Sequence, residues 1–574
     1  MTATVATTAP SSRNSLPRAK ARRECHIINT GPTTDAITGI LGHKCETEEM
    51  ADTDPTGTPT ANAAPAANSN RSTIPVSSGF REYITTGWAD RVPAAPTLRV
   101  AASRAHERRA AISALHPGVR LVLPAGSAKQ RSNDCDYPFR AHSAFAHLTG
   151  WGSDTVPGSV LVLEPTTNGH DATLYFREAA GRDSDEFYAN PEIGEFWTGS
   201  RPGLIEIAAE LGMDTRPLAS FTDLVDGAAM GSTLTGMPPT LVVREADRET
   251  TDLIDAARIL SGTDRRTDRG TDGDTDGDTD GDTSSGTADD DAALARDLSE
   301  LRLIKDSWEI EQMRAAVAAT KLGFDDIIGE LPQIVAHPRG ERLIEGTFNR
   351  RARAEGNTVG YDTIAASGNH ACVLHWTRND GAVRAGDLVL VDAGIELDSY
   401  YTADITRTLP VNGTFTEVQR RVYEAVLEAA DAAFAIVRPG IRFHEIHAAA
   451  MAVIAAKTAE WGLLPVSASE SLEENHQFHR RYMVHGTSHH LGIDVHDCAQ
   501  ARRDLYLDGI LEAGMVFTIE PGLYFQPDDL TVPAEYRSIG VRIEDNILVT
   551  VNGAENLSAG IPRTVTAVEE WLRG

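Results

Sequence analysis

Cysteine is scarce in these 574 residues: Cys25, Cys45, Cys135, Cys372 and Cys498 form an odd set with no C-x-x-C pair. That excludes a disulfide framework and a thiolate zinc site, and it fits a reducing cytoplasm, the expected location. Cys372 and Cys498 lie close to candidate site histidines but read as small buried packing residues. Long apolar runs are missing too. The longest, AAAMAVIAA at 448–456, is too short to span a bilayer, so no membrane partner is expected. Positive charge is in short supply: Lys and Arg total 53 against 83 Asp and Glu, a net charge of −30. Such a surface repels phosphates, which argues against nucleic acid or anionic lipid as a partner. A 41% hydrophobic and 24% charged composition is that of a soluble globular protein.

Residues 1–79 are rich in Thr, Ala, Ser and Pro, lack apolar periodicity and read as a disordered tail. Their basic patch, Arg13 to Arg23, is not followed by the apolar core of a secretion signal. Residues 80–260 have the texture of an α/β domain, with a helix over 102–115 and strands at VRLVLPAG (119–126), SVLVLEP (159–165) and LVVRE (241–245). Residues 261–292 are a low-complexity insertion. From Thr263 to Asp291 there are eleven Asp, three Arg and one apolar residue, Ala288, which predicts a solvated loop. Its T-D-G-D repeat has neither the terminal Glu and flanking helices of an EF-hand nor the G-G-x-G-x-D nonapeptide of a calcium β-roll.

Residues 293–574 read as a second domain, and the fold class is α+β. Leu294, Leu298, Leu301, Ile304, Trp308, Met313, Ala316 and Ala319 fall near a 3.6 period, which predicts a long helix or helix pair over 291–328. Ala-rich helices follow over 415–437 and 444–461. Between them run short apolar stretches that read as strands, and each holds a charged or imidazole side chain: Asp392 in LVLVDAG, Asp404 in ADITRT, His489 in HGTSHHLG, Glu520 in VFTIEPG and Glu544 in VRIEDNILVT. A charge in such a setting is costly unless something neutralises it. An apparent hairpin, GIELDSYYTA, joins Asp392 and Asp404, so that paired strands bring both carboxylates together. Adjacent carboxylates repel unless a positive charge lies between them. Four carboxylates and one imidazole with no thiolate make a hard, mostly oxygen site. It suits two divalent metal ions, with manganese expected and cobalt, zinc or iron as alternatives.

The segments VLHW (373–376), VDAGIELDSYYTADITRTLPVNGTF (391–415), HGTSHHLGIDVHD (485–497), GMVFTIEPGLYF (514–525) and YRSIGVRIEDNILVT (536–550) resemble the creatinase/aminopeptidase P family of pita-bread metallopeptidases. The likeness spans 293–574 in order, with every metal-ligand position filled. Upstream, YPFRAHSAFAHLTGW (137–151) is similar to the noncatalytic amino-terminal domain of aminopeptidase P and prolidase. The resemblance implies a pita-bread catalytic domain behind a smaller α/β domain. It implies that Asp392 chelates one metal, that His489 and Glu520 hold mainly the other, and that Asp404 and Glu544 bridge both. A bridging hydroxide then attacks the scissile carbonyl, with Glu520 as general base.

By the same resemblance His375, His485 and His496 line the substrate cleft. The last two meet the peptide carbonyl or the oxyanion, where an imidazole N–H stabilises charge. Arg542 matches a position linked to the site carboxylates and substrate, with a structural ion pair as its other reading. His490 has no matching role and reads as packing; Tyr524 is expected to touch the cleft. The stretch between the two aspartates is a residue longer than in some relatives, and the extra residue is placed near Asp398 to Tyr400.

The implied activity is hydrolysis of the amino-terminal Xaa-Pro bond of peptides, by a homodimer or homotetramer. The alternatives are a prolidase acting on Xaa-Pro dipeptides and a noncatalytic peptide-binding relative. The stretch EPGLYFQPDDLTVPAEYRSIGVRIED, similar to the aminopeptidase P version, favours the first over prolidase. The filled ligand positions argue against a metal-free creatinase type and a noncatalytic relative, and the long preceding domain against a plain methionine aminopeptidase.

Overall fold

The computed structural model describes residues 74–89, 95–132, 135–230, 238–260 and 285–574. The tail expected over 1–79 lies outside the described residues as far as 73, and the insertion expected over 261–292 as far as 284. Among the described residues, no helix is long and apolar enough to cross a membrane.

Five strands form the first sheet, in the spatial order Asp214–Pro217, Gly169–Phe176, Val160–Thr166, Arg120–Pro124, Thr240–Val242. The central pair is antiparallel, with Leu121 opposite Leu163 and Leu123 opposite Leu161. Alternation at period 2 sends Leu121, Leu123, Leu161 and Leu163 to one apolar cluster and Val122, Val160 and Val162 to another. The leucine face does not end with its own domain: Tyr400, Tyr401, Leu491, Ile493 and Val516 belong to the same cluster.

The predicted helix over 291–328 is a pair, Ser285–Leu301 and Ser307–Ala336. Asp306 caps the second through the N–H groups of Trp308 and Glu309, and Glu309 returns the bond to Asp306, so the chain breaks and restarts there. The first helix begins inside the tract read as a solvated loop, and that reading fails at its last residue. Asp291 is 1% exposed and accepts hydrogen bonds from Val242 N–H and from Arg244 and Arg258, because two guanidinium groups and a strand amide replace water around it.

The rest of the chain wraps helices around short antiparallel strands. Leu388–Ala393 is central, paired with Ile364–Ser367 and Ile405–Pro410. Val516–Ile519 pairs with Asp545–Thr550, and Gly522–Phe525 with Ile539–Arg542. Helices Glu417–Ala435 and Phe443–Glu460 match their predicted positions and contribute Val422, Val426, Ile446 and Ile454 to the core shared with these strands. In the hairpin between the two aspartates, Gly394 must be glycine, since a Cβ there would sit 1.7 Å from the Ala403 carbonyl oxygen. The hairpin's irregularity falls at Asp398–Tyr400: Tyr400 donates its N–H to Leu397 O and takes a left-handed φ of 69°. Complete burial of its ring, with the Arg140 guanidinium 4.7 Å above it, holds a bulky residue in that strained conformation.

Candidate metal centre

All five predicted ligands converge in one cleft of about 650 Å³, together with His375, His485, His496 and Arg542. Asp392 is opposite Thr406 in the ladder, so Asp404, two residues before Thr406, is its diagonal neighbour on the same face. Asp404 immediately precedes its strand, Ile405–Pro410, while Glu520 immediately follows Val516–Ile519. Glu544 lies in the break between Ile539–Arg542 and Asp545–Thr550. Asp404, Glu520 and Glu544 therefore stand where strands end, whereas Asp392 is held within its ladder, paired on both sides.

The strand expected over 485–492 is absent. This segment follows Val516–Ile519 through hydrogen bonds from Leu491 N to Val516 O, Thr518 N to His489 O and Glu520 N to Thr487 O. The ladder is incomplete because His489 N donates to the Thr518 hydroxyl (3.1 Å). The same hydrogen bonds set His489 beside Glu520.

His489 Nε2 is 3.3 Å from Asp404 and 3.5 Å from Glu520. Asp404, His489 and Glu544 each offer one ligand atom within 4.8 Å of the others. Tyr361, which motif reasoning missed, places its hydroxyl 2.6 Å from Asp392 and 2.5 Å from Asp404. One phenolic proton cannot serve two carboxylates, so positive charge is wanted at that junction. Arg542 supplies part of it through direct contact with Asp392, and its Nε donates to the Thr406 hydroxyl, which in turn donates to Glu544 (2.7 Å).

The acid–base balance has the same cause. Burial raises Glu544 well above the usual carboxylate range, and Asp404, Glu520 and Asp392 add to the rise. Burial also raises Asp392, against the pull of Arg542, and raises Glu520 to about 7 against His489. Asp404 alone is lowered: despite burial, its hydrogen bond to His489 prevails. The same pairing overcomes burial of His489 and lifts it to about 9. Too many buried anions share too little cationic charge, and all are oxygen donors apart from one imidazole. This donor set fits hard divalent cations.

The cleft histidines differ from one another. His485 Nδ1 lies 2.6 Å from Gly486 O, and a carbonyl only accepts, so this nitrogen carries the proton. Burial and the Arg542 charge push His485 down to about 3, so its Nε2 is an acceptor and takes the Tyr524 hydroxyl proton at 2.8 Å. Tyr524, expected only to touch the cleft, thus joins His485 to Arg542, whose Nη1 donates to its oxygen (3.2 Å). His496 meets His489 edge-on, with ring centroids 4.3 Å apart, and is lowered by burial and by His489. His375 is exposed in the cleft lining, after Leu374. His490 faces away from the cleft, stacked on Phe443 at 4.6 Å. Cys372 and Cys498 are buried, as expected.

Two family models match the chain: metallopeptidase family M24 over residues 311–551, and the aminopeptidase P N-terminal domain over 105–234. Xaa-Pro aminopeptidase 2 of Streptomyces coelicolor is 46% identical over 500 residues, covering 87% of this chain and 96% of its own. The Xaa-Pro aminopeptidase of Escherichia coli is 33% identical over 469 residues, covering 81% and 96%. Among solved structures, the Pseudomonas aeruginosa aminopeptidase PepP superposes with a TM-score of 0.67 at 30% identity, covering 83% of this chain and 99% of that one. The aminopeptidase P N-terminal domain followed by the M24 domain, in a chain of mixed helix and sheet, is the expected fold class.

Proposed function

The chain belongs to the M24 metallopeptidases, in their aminopeptidase P branch, and from that premise we propose that it hydrolyses the amino-terminal Xaa-Pro bond of peptides. The observation that carries this reading is the convergence of Asp392, Asp404, His489, Glu520 and Glu544 in a single cleft, on a chain that runs the length of Xaa-Pro aminopeptidases. Those five residues would hold two divalent cations. When bound, such a pair supplies Lewis acidity toward a carbonyl and makes water acidic enough to react near neutral pH.

The protein's own groups do the rest. Glu520, in the cleft beside His489, is the group that takes a proton from water and returns it to the departing nitrogen. That nitrogen belongs to proline, a tertiary amide without N–H, so the cut needs a proton delivered to a nitrogen that ordinary peptidase clefts do not accommodate. Arg542 balances Asp392 and orients Thr406 toward Glu544. Through Tyr524 it also keeps His485 in one tautomer. His375 and His496 stand on the cleft walls as contacts for the peptide carbonyl. Manganese as the metal, a homodimer or homotetramer as the assembly, and the cytoplasm as the location complete the reading.

The test is product analysis by mass spectrometry with manganese-loaded protein, offering an Xaa-Pro-Xaa tripeptide and an Xaa-Pro dipeptide together. Release of the first residue mainly from the tripeptide is expected. Cleavage mainly of the dipeptide would make the protein a prolidase, and cleavage of neither would overturn both activities.

A further inference from the structure

Arg480 sits outside every ligand position, on the short 3-10 turn Phe478–Arg481, and is only partly exposed. Among the described residues it forms no ion pair with a carboxylate. Its donors all go to one neighbourhood: Nε to Met483 O (2.8 Å), Nη2 to Val484 O and to His485 O (3.1 Å), and Nη1 to His447 Nε2 (2.9 Å). A guanidinium cannot accept, so His447 Nε2 must be the unprotonated nitrogen and Nδ1 carries the proton. That proton points to the Thr487 hydroxyl at 2.8 Å. The Thr487 carbonyl accepts the Glu520 N–H at 2.8 Å.

Apart from the bond between its two members, every side-chain hydrogen bond of this pair ends on residues 483–487, which connect His485 to the backbone partner of Glu520. His447 projects from the long helix Phe443–Glu460, a rigid support, whereas 483–487 belong to no helix or strand. An arginine needed only for packing would be expected to meet a carboxylate or water instead of three successive carbonyls of one loop.

We propose that Arg480 and His447 are a positioning pair, which locks residues 483–487 and thereby sets His485 and Glu520 for the reaction; this rests on the aminopeptidase reading. Neither residue is among those that line the cleft. The guanidinium fork spans three carbonyls and an imidazole at once, a geometry that the single ammonium of lysine cannot reproduce. Loss of the clamp lets the loop shift, and shifts of about 1 Å at a catalytic group cost up to about 100-fold in rate.

The experiment compares the full-length metal-loaded protein with Arg480→Ala, Arg480→Lys and His447→Ala, measuring metal content, folded fraction, kcat and KM on an Xaa-Pro-Xaa tripeptide. Nitrogen NMR of the imidazoles reads the His447 tautomer. Both Arg480 variants are expected to keep metal and fold while kcat falls about tenfold or more and KM changes less than about twofold. Added guanidinium ion should restore part of the Arg480→Ala rate and none of the Arg480→Lys loss. His447→Ala should lower kcat by about threefold. Wild-type His447 should be protonated at Nδ1. Unchanged kcat in folded variants, or losses that simply follow metal content or folded fraction, would overturn the proposal. If the Arg480 variants do not fold, His447→Ala decides it alone. Failure of the wild-type protein to cleave any Xaa-Pro peptide would overturn the aminopeptidase reading and not the clamp, which the His447 tautomer still tests: protonation at Nε2 would refute it.

Discussion

Among the described residues, two of the clusters of buried charge respond to burial in opposite ways. One is the cleft set of Asp392, Asp404, Glu520 and Glu544. The other lies where the amino-terminal domain meets the catalytic one. There Glu309 accepts from the Tyr401 hydroxyl (2.5 Å) and faces His147 (3.3 Å) and Arg108 (3.4 Å), while Asp497 accepts from Arg302 (2.8 Å) and lies 3.2 Å from Lys305. Burial should raise all of these carboxyls. In the seam it loses: His147, Arg108 and Tyr401 hold Glu309 down to about 2, and Lys305 and Arg302 hold Asp497 well below the usual range. In the cleft it wins for three of four acids, with Glu520 at about 7. The seam carries its own cations. The cleft sets only Arg542 and His489 against four acids, and a buried acid set with too few internal cations is suited to cations from outside.

Removing a catalytic proton carrier should have the largest effect. Glu520→Gln is expected to lower kcat by about 10²- to 10⁴-fold in a steady-state assay on an Xaa-Pro-Xaa peptide. Stripping the metal with a chelator should abolish turnover, and manganese should restore it. The corresponding cut in the seam should act on stability. Glu309→Ala leaves the buried Tyr401 hydroxyl without its acceptor and takes one carboxylate from Arg108, which keeps Asp306; it should cost about 1–3 kcal/mol in denaturant unfolding, with metal content per folded molecule unchanged. Equal losses of metal and stability in this variant would erase the distinction between the clusters.

The pH response should separate them by sign. Glu309 and Asp497 are depressed, so their contribution is present above the ordinary carboxylate range and is lost as pH falls from about 4.5 toward 2. Glu520 and His489 are raised, to about 7 and about 9. In chelated protein their contribution therefore declines as pH rises, through about 4.5 to 7 for Glu520 and about 6.5 to 9 for His489. Since metal displaces these protons, metal affinity measured by calorimetry should rise over the same range, with protons released to the buffer. A metal affinity that is flat from pH 6 to 9 would contradict this. The smallest effect is expected from Tyr361→Phe, which removes one hydroxyl from between Asp392 and Asp404: a drop in kcat of about fivefold, equivalent to ~1 kcal/mol, with metal retained.

Much of the cleft was legible in the linear chain. Asp392, Asp404, Glu520 and Glu544 stand out because a charge inside an apolar stretch calls for an explanation, and His489 because its motif lies in order among them. Tyr361 was not legible: a lone tyrosine 31 residues before Asp392 has no periodicity, and it matters only because its hydroxyl reaches two carboxylates brought together by the hairpin. The segment 485–492 was read as a strand although its backbone pairing is interrupted by the Thr518 side chain. Asp291 was read as solvated because its neighbours in sequence are acidic, while its neighbours in space are Arg244 and Arg258.

Residue order alone was enough to establish the α+β class, the two helices after 415, the donor chemistry of the site and the family resemblance, since periodicity and residue type are properties of the chain. The direction of each carboxyl's shift, the tautomers of His485 and His447, and the convergence of Arg480 on one loop emerged only on folding. Apart from the local bonds of Arg480 to residues 483–485 and of His485 to Gly486, those properties depend on distances of 2.5 to 3.5 Å between groups tens or hundreds of residues apart, as between Arg542 and Thr406 at 3.0 Å. Short-range electrostatics and hydrogen bonding act on separation in space, for which separation along the chain carries no measure.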